Sequence, residues 1–246
     1  MNQSIYNIRT GQIVYSVEAV DFTAAVKDAI RNKIDLEYTG LSGVDLSGSY
    51  LLGVSFKGCK LTDANLKGAI IKHASFEGSD ISGATFKDAS LEHVNFTTAV
   101  ARKTSFYGAK SNESVFEYAD LENADFRDFS GKRGNFLSAK LIGCLLEFSN
   151  FRSTLFNGAD LCFASIYDSL FDFCGFGGVN FSRAGLRGTD FFKCGFDSST
   201  FELASVAYCS FVKCNLKTAK FGDSKVEKCG FAGSLTDEAF LAKVRK

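Results

Sequence analysis

The sequence predicts an all-β solenoid of about ten four-sided coils, and three observations carry that prediction. The first is a period of five: from Leu36 to Phe231 forty positions fall in one unbroken register, and thirty-seven of them hold Leu, Ile, Val or Phe. Only Ala101, Ser111 and Gly131 depart from it. A helix would repeat at about 3.6 and a strand at 2, so a period of five is the mark of an internal repeat. The second observation is a small residue two places before each large one, as in Val44, Ser49, Cys59, Ala64, Ala69 and onward to Cys229. Residues two apart point the same way only where the chain is extended, so each unit is a strand-like piece with two inward side chains. The third is a longer period of twenty. Phe56, Phe76, Phe96, Phe116, Phe136, Phe156, Phe176 and Phe196 recur at that spacing, whereas the other three twenty-residue series mix Leu, Ile, Val and Phe. Four units per coil stack those rings in one column.

Residues 1–33 predict a cover for the first coil, because the open end of a solenoid templates aggregation unless something shields it. Ile5 to Arg9 and Gln12 to Val17 are short β-prone runs around Thr10-Gly11, the pattern of a hairpin. Asp21 is placed to cap a helix on which Phe22, Val26 and Ile30 share a face. Residues 34–233 form the coil. Its corners are served by Asp or Asn just before many large residues (Asp45, Asn65, Asp80, Asn95) and by Gly two places after them, which accounts for thirteen of the twenty-three glycines. At the spacing of hydrogen-bonded strands, ten coils span roughly 45–50 Å. Residues 234–246 predict a short helix: Thr236 as N-cap, Leu235 and Phe240 at staple spacing, Asp237 and Glu238 at its start, and Lys243, Arg245 and Lys246 at its end.

Ala64-Asn65-Leu66-Lys67-Gly68, Ala119-Asp120-Leu121-Glu122-Asn123 and Ala159-Asp160-Leu161 resemble the A(D/N)LxG consensus of pentapeptide repeat proteins. The resemblance runs over about four-fifths of the chain and implies the right-handed, four-sided β-helix with both inward residues of each unit packed inside. The N-terminal segment is similar to the leader that precedes the repeats in many bacterial and phage members. Related proteins often dimerise through a C-terminal helix, so the tail is read either as a plain cap or as a homodimer contact.

Composition fits a soluble cytoplasmic protein, although secretion by a route without a readable signal stays open. Twenty-eight basic residues balance twenty-eight acidic ones. No apolar run approaches the length of about 20 that spans a bilayer, and the polar N-terminus is no secretory signal. Seven of the eight cysteines (59, 144, 174, 194, 209, 214 and 229) occupy the small inward place, where a reduced thiol serves as a small buried hydrophobe. Cys174, Cys194 and Cys214 stack on one side at a distance a disulfide would tolerate, yet no CxxC spacing occurs and they are expected to stay reduced.

Candidate site residues come from the same map. His73 and His93, the only histidines, lie one coil apart, and Glu113 continues their column. Two imidazoles and a carboxylate at strand spacing are metal-ligating types; the alternative is a stack of solvated corner residues. The lapses at Ala101, Ser111 and Gly131, with Phe129 in a small place, cluster beside Lys110, Lys132, Arg133 and Arg152. Phe129 is expected to swing inward and refill the volume that Gly131 leaves. The basic patch reads as a contact for an acidic partner or a nucleic acid backbone, or else as ordinary solvated charge on a repacked coil. Phe173, Phe192 and Val212 share a side and form a second candidate contact.

No Walker loop, GxSxG elbow, HExxH or paired CxxC is present, and a stiff coil of short turns has few ligand-sized concavities, so no enzyme and no cofactor are expected. The leading functional reading is a rigid protein-interaction scaffold of unidentified partner. The resemblance adds an alternative, a DNA-mimicking modulator of a type II topoisomerase such as gyrase. Such mimicry relies on a strongly acidic surface, which a net charge of zero does not supply, and a nucleic acid partner is not expected. A surface metal-binding protein is the third reading.

Overall fold

The computed structural model describes residues 1–237 and Phe240. Its N-terminal cover is an antiparallel hairpin of β1 (Asn2–Tyr6) and β2 (Ile13–Glu18), followed by α1 (Phe22–Arg31). The first strand lies earlier than its β-prone run. It stops at Tyr6 because Asn7 Oδ1 accepts the N–H groups of Arg9 and Thr10, at 2.9 and 3.1 Å, and turns the chain there. Asp21 caps α1 by accepting the N–H of Ala24 at 2.7 Å. Ile5, Val26 and Ala29 are fully buried and continue the core of the first coil. The Ile8 N–H donates to Tyr38 O and the Gly40 N–H to Tyr6 O, so the hairpin pairs with part of the first exposed edge.

Beyond the cover the chain winds as a parallel β-solenoid. Its four sides are numbered here from their first large residues, Leu36, Leu41, Leu46 and Leu51. On the fourth side nine three-residue strands stack in exact twenty-residue register: β3 (Tyr50–Leu52), β4 (Ile70–Lys72), β5 (Ser90–Glu92), β6 (Lys110–Asn112), β7 (Ser130–Lys132), β8 (Asn150–Arg152), β10 (Leu170–Asp172), β12 (Asp190–Phe192) and β14 (Ser210–Val212). The third side acquires a sheet only late, from β9 (Ser165–Tyr167), β11 (Gly185–Arg187), β13 (Ser205–Ala207) and β15 (Lys225–Glu227). Elsewhere single bridges hold the same register, as between Asp45 and Asn65.

Two kinds of corner explain that difference. On the first and second sides the N–H of the small residue donates to the carbonyl three residues back, as Ala64 does to Leu61 at 3.1 Å, and closes a tight turn. After the fourth side, from β3 through β14, this bond is not made, and the strand runs on by a residue. The small residue chemistry follows suit. From Ser114 upward every small residue after the fourth side except Gly134 carries a hydroxyl or thiol, and so do Ser149, Ser169, Thr189, Cys209 and Cys229 after the third. Ser234 shows why: its Oγ accepts the Cys214 N–H and donates to Phe211 O, each at 2.8 Å. Cys229 does the same with sulfur, taking the Cys209 N–H at 3.4 Å and donating to Val206 O at 3.5 Å. The inward cysteines are therefore weak polar bridges between coils as well as apolar fillers. All eight cysteines are free thiols.

The predicted phenylalanine column is continuous, with successive rings stacked from Phe56 to Phe196 at 4.5–5.1 Å between centroids. A second column starts on the third side as Phe86, Phe106 and Phe126, then moves to the fourth as Phe151, Phe171, Phe191, Phe211 and Phe231. Phe129 joins the two, 5.1 Å from Phe126 and 5.4 Å from Phe151. A Cβ on Gly131 would stand 2.9 Å from the Phe129 ring and 2.8 Å from that of Phe151. The lapses at Ser111 and Gly131 thus have a packing cause: while the third side supplies phenylalanine, the fourth must shrink to keep the interior at constant density.

At the far end Phe240 lies on the last rings of two columns, 4.2 Å from Phe221 and 5.1 Å from Phe231. Its N–H donates to Asp237 Oδ1 at 2.6 Å. Leu235 remains 62% exposed, so the expected staple with Phe240 is replaced by inward packing of Phe240 alone. Glu238, Lys243, Arg245 and Lys246, and with them the expected C-terminal helix, lie outside the described residues. Among the described residues no helix is long and apolar enough to cross a membrane.

Candidate interaction surface

The fourth side carries the longest sheet of the coil, and its outward residues fall into columns one strand spacing apart. Lys110 stands just before the inward residue of β6, Lys132 just after that of β7, and Arg152 just after that of β8. The ammonium groups of Lys110 and Lys132 have no ion-pair partner among the described residues. The two arginines of the patch are engaged. Arg152 Nε lies 3.5 Å from Asp172 Oδ2, and Arg133 Nε donates to Glu113 Oε1 at 2.7 Å. Sequence reasoning placed all four together, but only the lysines are free.

His73, His93, Glu113 and Arg133 share the corner after this side, all in the left-handed backbone region at φ of 51° to 56°. Apart from Lys33, which follows α1, every non-glycine residue with positive φ lies two places after a large-residue position of the repeat, at one or other of the four corners, so the winding itself imposes the conformation. The imidazoles of His73 and His93 stack at 4.9 Å with planes 8° apart. His93 Nδ1 lies 3.4 Å from Glu113, whose other oxygen is held by Arg133. Parallel rings and a carboxylate taken by a guanidinium make a stacked chain of polar groups. Among the described residues no group of three or more His, Cys, Asp or Glu converges as a metal site.

Higher on the same side Phe173 and Phe192 meet edge to face at 5.7 Å, and Lys193 Nζ lies 4.9 Å and 5.1 Å from their ring centres. Val212 follows Phe192 in register. Beside them a shallow groove of about 430 Å³ is lined by Asn150, Arg152, Leu170, Asp172, Asp190 and Phe192. Leu170 is 48% exposed, Asp190 has no ion-pair partner among the described residues, and Asp172 Oδ1 has no donor. Leu170, Asp172, Asp190 and Lys193 were not singled out by sequence; reading the outward places at intervals of twenty would have found them. Phe148, Phe163 and Tyr208 are exposed at other corners, where Arg183 covers Phe163 and Lys228 covers Tyr208. On the second side charges are cross-linked between coils, Arg102 with Asp120 at 2.7 Å and Lys140 with Glu122 at 2.7 Å, as Lys72 and Glu92 are on the fourth at 2.6 Å.

The family model of the pentapeptide repeat region matches residues 49–126, and the five-residue register with its stacked coils continues without a break on both sides of that match. Residues 49–126 are a pentapeptide repeat region. Similar solved structures include HetL, a pentapeptide repeat protein involved in heterocyst differentiation regulation from the cyanobacterium Nostoc, at 18% identity over 87% of this chain and 96% of that one, with a TM-score of 0.35. A trypsin-treated form of QnrB1, a plasmid-mediated fluoroquinolone resistance protein, is 17% identical over 84% of this chain and 93% of that one, with a TM-score of 0.35. A pentapeptide repeat protein from the Arabidopsis thaliana thylakoid lumen is 32% identical over 37% of this chain and 66% of that one, with a TM-score of 0.33. Comparison with curated protein sequences gives no match.

Proposed function

We propose that this pentapeptide repeat protein is a non-enzymatic, rigid scaffold whose fourth side docks an acidic protein surface. The observation that carries the reading is the pair of unpaired lysines, Lys110 and Lys132, on the nine-stranded sheet flanked by the Phe173–Phe192–Lys193 cluster. Unpaired like charges on neighbouring strands repel one another, and an acidic partner relieves that repulsion. Phe192 and Leu170 supply the apolar contact that charge alone lacks. Eight free thiols fit a reducing, cytoplasmic compartment.

Modulation of a type II topoisomerase is the second reading, and the charge distribution favours the scaffold over it. A DNA mimic needs unneutralised carboxylates in rows, whereas the acidic residues of the second side are tied to Arg102 and Lys140. Affinity capture from the source cell, comparing wild type with K110E/K132E, tests the scaffold reading. Loss of a captured protein with an acidic surface is expected; an identical capture profile would remove the fourth side from consideration. In a supercoiling assay with gyrase, micromolar protein is expected to leave the product unchanged, and clear inhibition would reverse the ranking.

A further inference from the structure

The fourth side is electrostatically complementary to itself. Lys110 lies two strands below β8 and Asp190 two strands above it, and both stand just before the inward residue of their strand. Lys132 lies one strand below β8 and Asp172 one strand above, and both stand just after the inward residue. Lys110, Lys132 and Asp190 have no ion-pair partner among the described residues, and the half-exposed Asp172 carboxylate has only Arg152 beside it, at 3.5 Å. We propose that the acidic surface docked by this side is the fourth side of a second copy, related by a two-fold axis that runs along β8 in the plane of contact. This rests on the reading of the fourth side as the contact surface.

The geometry follows from the winding. A two-fold axis parallel to the strands reverses the order of the coils but leaves each column facing its own kind. Strand β6 then meets β12 of the second copy and β7 meets β10, so Lys110 faces Asp190 and Lys132 faces Asp172, each pair occurring twice as an isologous contact requires. Ser130 faces Leu170 and Asn112 faces Phe192. At the axis Asn150 meets Asn150, whose amides are mutually donor and acceptor. Arg152 meets Arg152, each guanidinium already beside its own Asp172. A two-fold axis along the solenoid would instead set the cationic strands β6 to β8 against themselves.

The expected strength is modest. About eight strand spacings of roughly 4.8 Å and a strand width of about 10 Å give a flat contact of some 400 Å² per copy. That is the size of weak, reversible associations. Exposed ion pairs add little each and are screened by salt, so the dimer is expected at high micromolar protein and low ionic strength.

Sedimentation velocity over about 10–300 μM protein, at low and at high salt, tests this. Wild type should shift from monomer to dimer with concentration, more so at low salt. K110E/K132E and D172K/D190K should each associate at least about tenfold more weakly, since each then opposes like charges. Their equimolar mixture should form a heterodimer tighter than either alone. Wild type that stays monomeric throughout, a dimer indifferent to both variants, or a mixture that fails to associate would overturn the proposal. A dimer unaffected by both variants would locate self-association elsewhere, the C-terminal segment included. If wild type is monomeric while capture still depends on Lys110 and Lys132, the contact surface stands and only self-pairing falls.

Discussion

Gly131 and Phe129 occupy one volume between them, and separating them is expected to destabilise the coil in both directions. Phe129 is 1% exposed and touches rings on either side of the shift between columns. Phe129→Ala removes about six carbons from a packed interior and should cost about 3–5 kcal/mol. Gly131→Leu restores the repeat's own residue type but sets its Cβ 2.9 Å from Phe129 Cε1, so it should cost about 1–3 kcal/mol through overpacking. Together the two changes remove about six carbons and add about four. A deficit of about two methylene equivalents, at about 0.8 kcal/mol each, leaves the double variant only about 1.6 kcal/mol below wild type once the Phe151 ring, 2.8 Å from the new Cβ, shifts into the space that Phe129 vacates. Simple addition of the single losses would instead give about 4–8 kcal/mol. The chain has no tryptophan, so guanidinium unfolding is best followed by circular dichroism. Additive losses would refute the shared volume and return Gly131 to the status of an unexplained lapse.

Three further outcomes follow from the corners, the histidines and the thiols. Thr98 is β-branched at φ of 56°, so Thr98→Gly should relieve about 1–2 kcal/mol of backbone strain and return about 0.5–1 kcal/mol as unfolded-chain entropy, a net gain of about 0.5–1 kcal/mol in the same unfolding assay. An unchanged or lower midpoint would show that the corner imposes no strain. Zinc titrated into micromolar protein should release no heat in calorimetry, because the imidazoles stack and Glu113 is bound by Arg133; saturable heat abolished by H73A would restore a metal site. Under brief iodoacetamide treatment Cys229 should be modified before Cys144. Donation from the Cys209 thiol holds the Cys229 thiol below its ordinary pKa at a partly exposed place, whereas burial pushes the Cys144 thiol far up. Equal labelling in a mass-spectrometric time course would contradict that order.

Architecture was readable because the repeat states it twice, in the five-residue register and in the twenty-residue return of Phe56 to Phe196. The inward turn of Phe129 was also readable, from the coincidence of a large residue in a small place and a glycine in a large one. The two kinds of corner were not foreseen. Their signal was present in the change from Ala69, Ala89 and Ala109 to Ser169, Thr189 and Cys209, but alanine, serine and cysteine differ little in size, and size was the property being followed. What distinguishes them is the capacity to bridge an N–H and a carbonyl across coils. The partition of the basic patch was equally hidden: Arg133 and Lys132 are adjacent in sequence, yet only the corner residue reaches Glu113. Whether a charge is free depends on the residue twenty places away.

Every coil also bonds only to the coil before and the coil after it, through in-register bridges such as Asp120 to Lys140 and Lys140 to Asp160. Under tension applied at its two ends such a molecule has no single point of failure and should peel one coil at a time. Each twenty-residue coil would pay out about 65–70 Å of chain, so a force trace should show evenly spaced steps of that length. The winding that fixes the columns of side chains thus also sets the increment in which the protein yields.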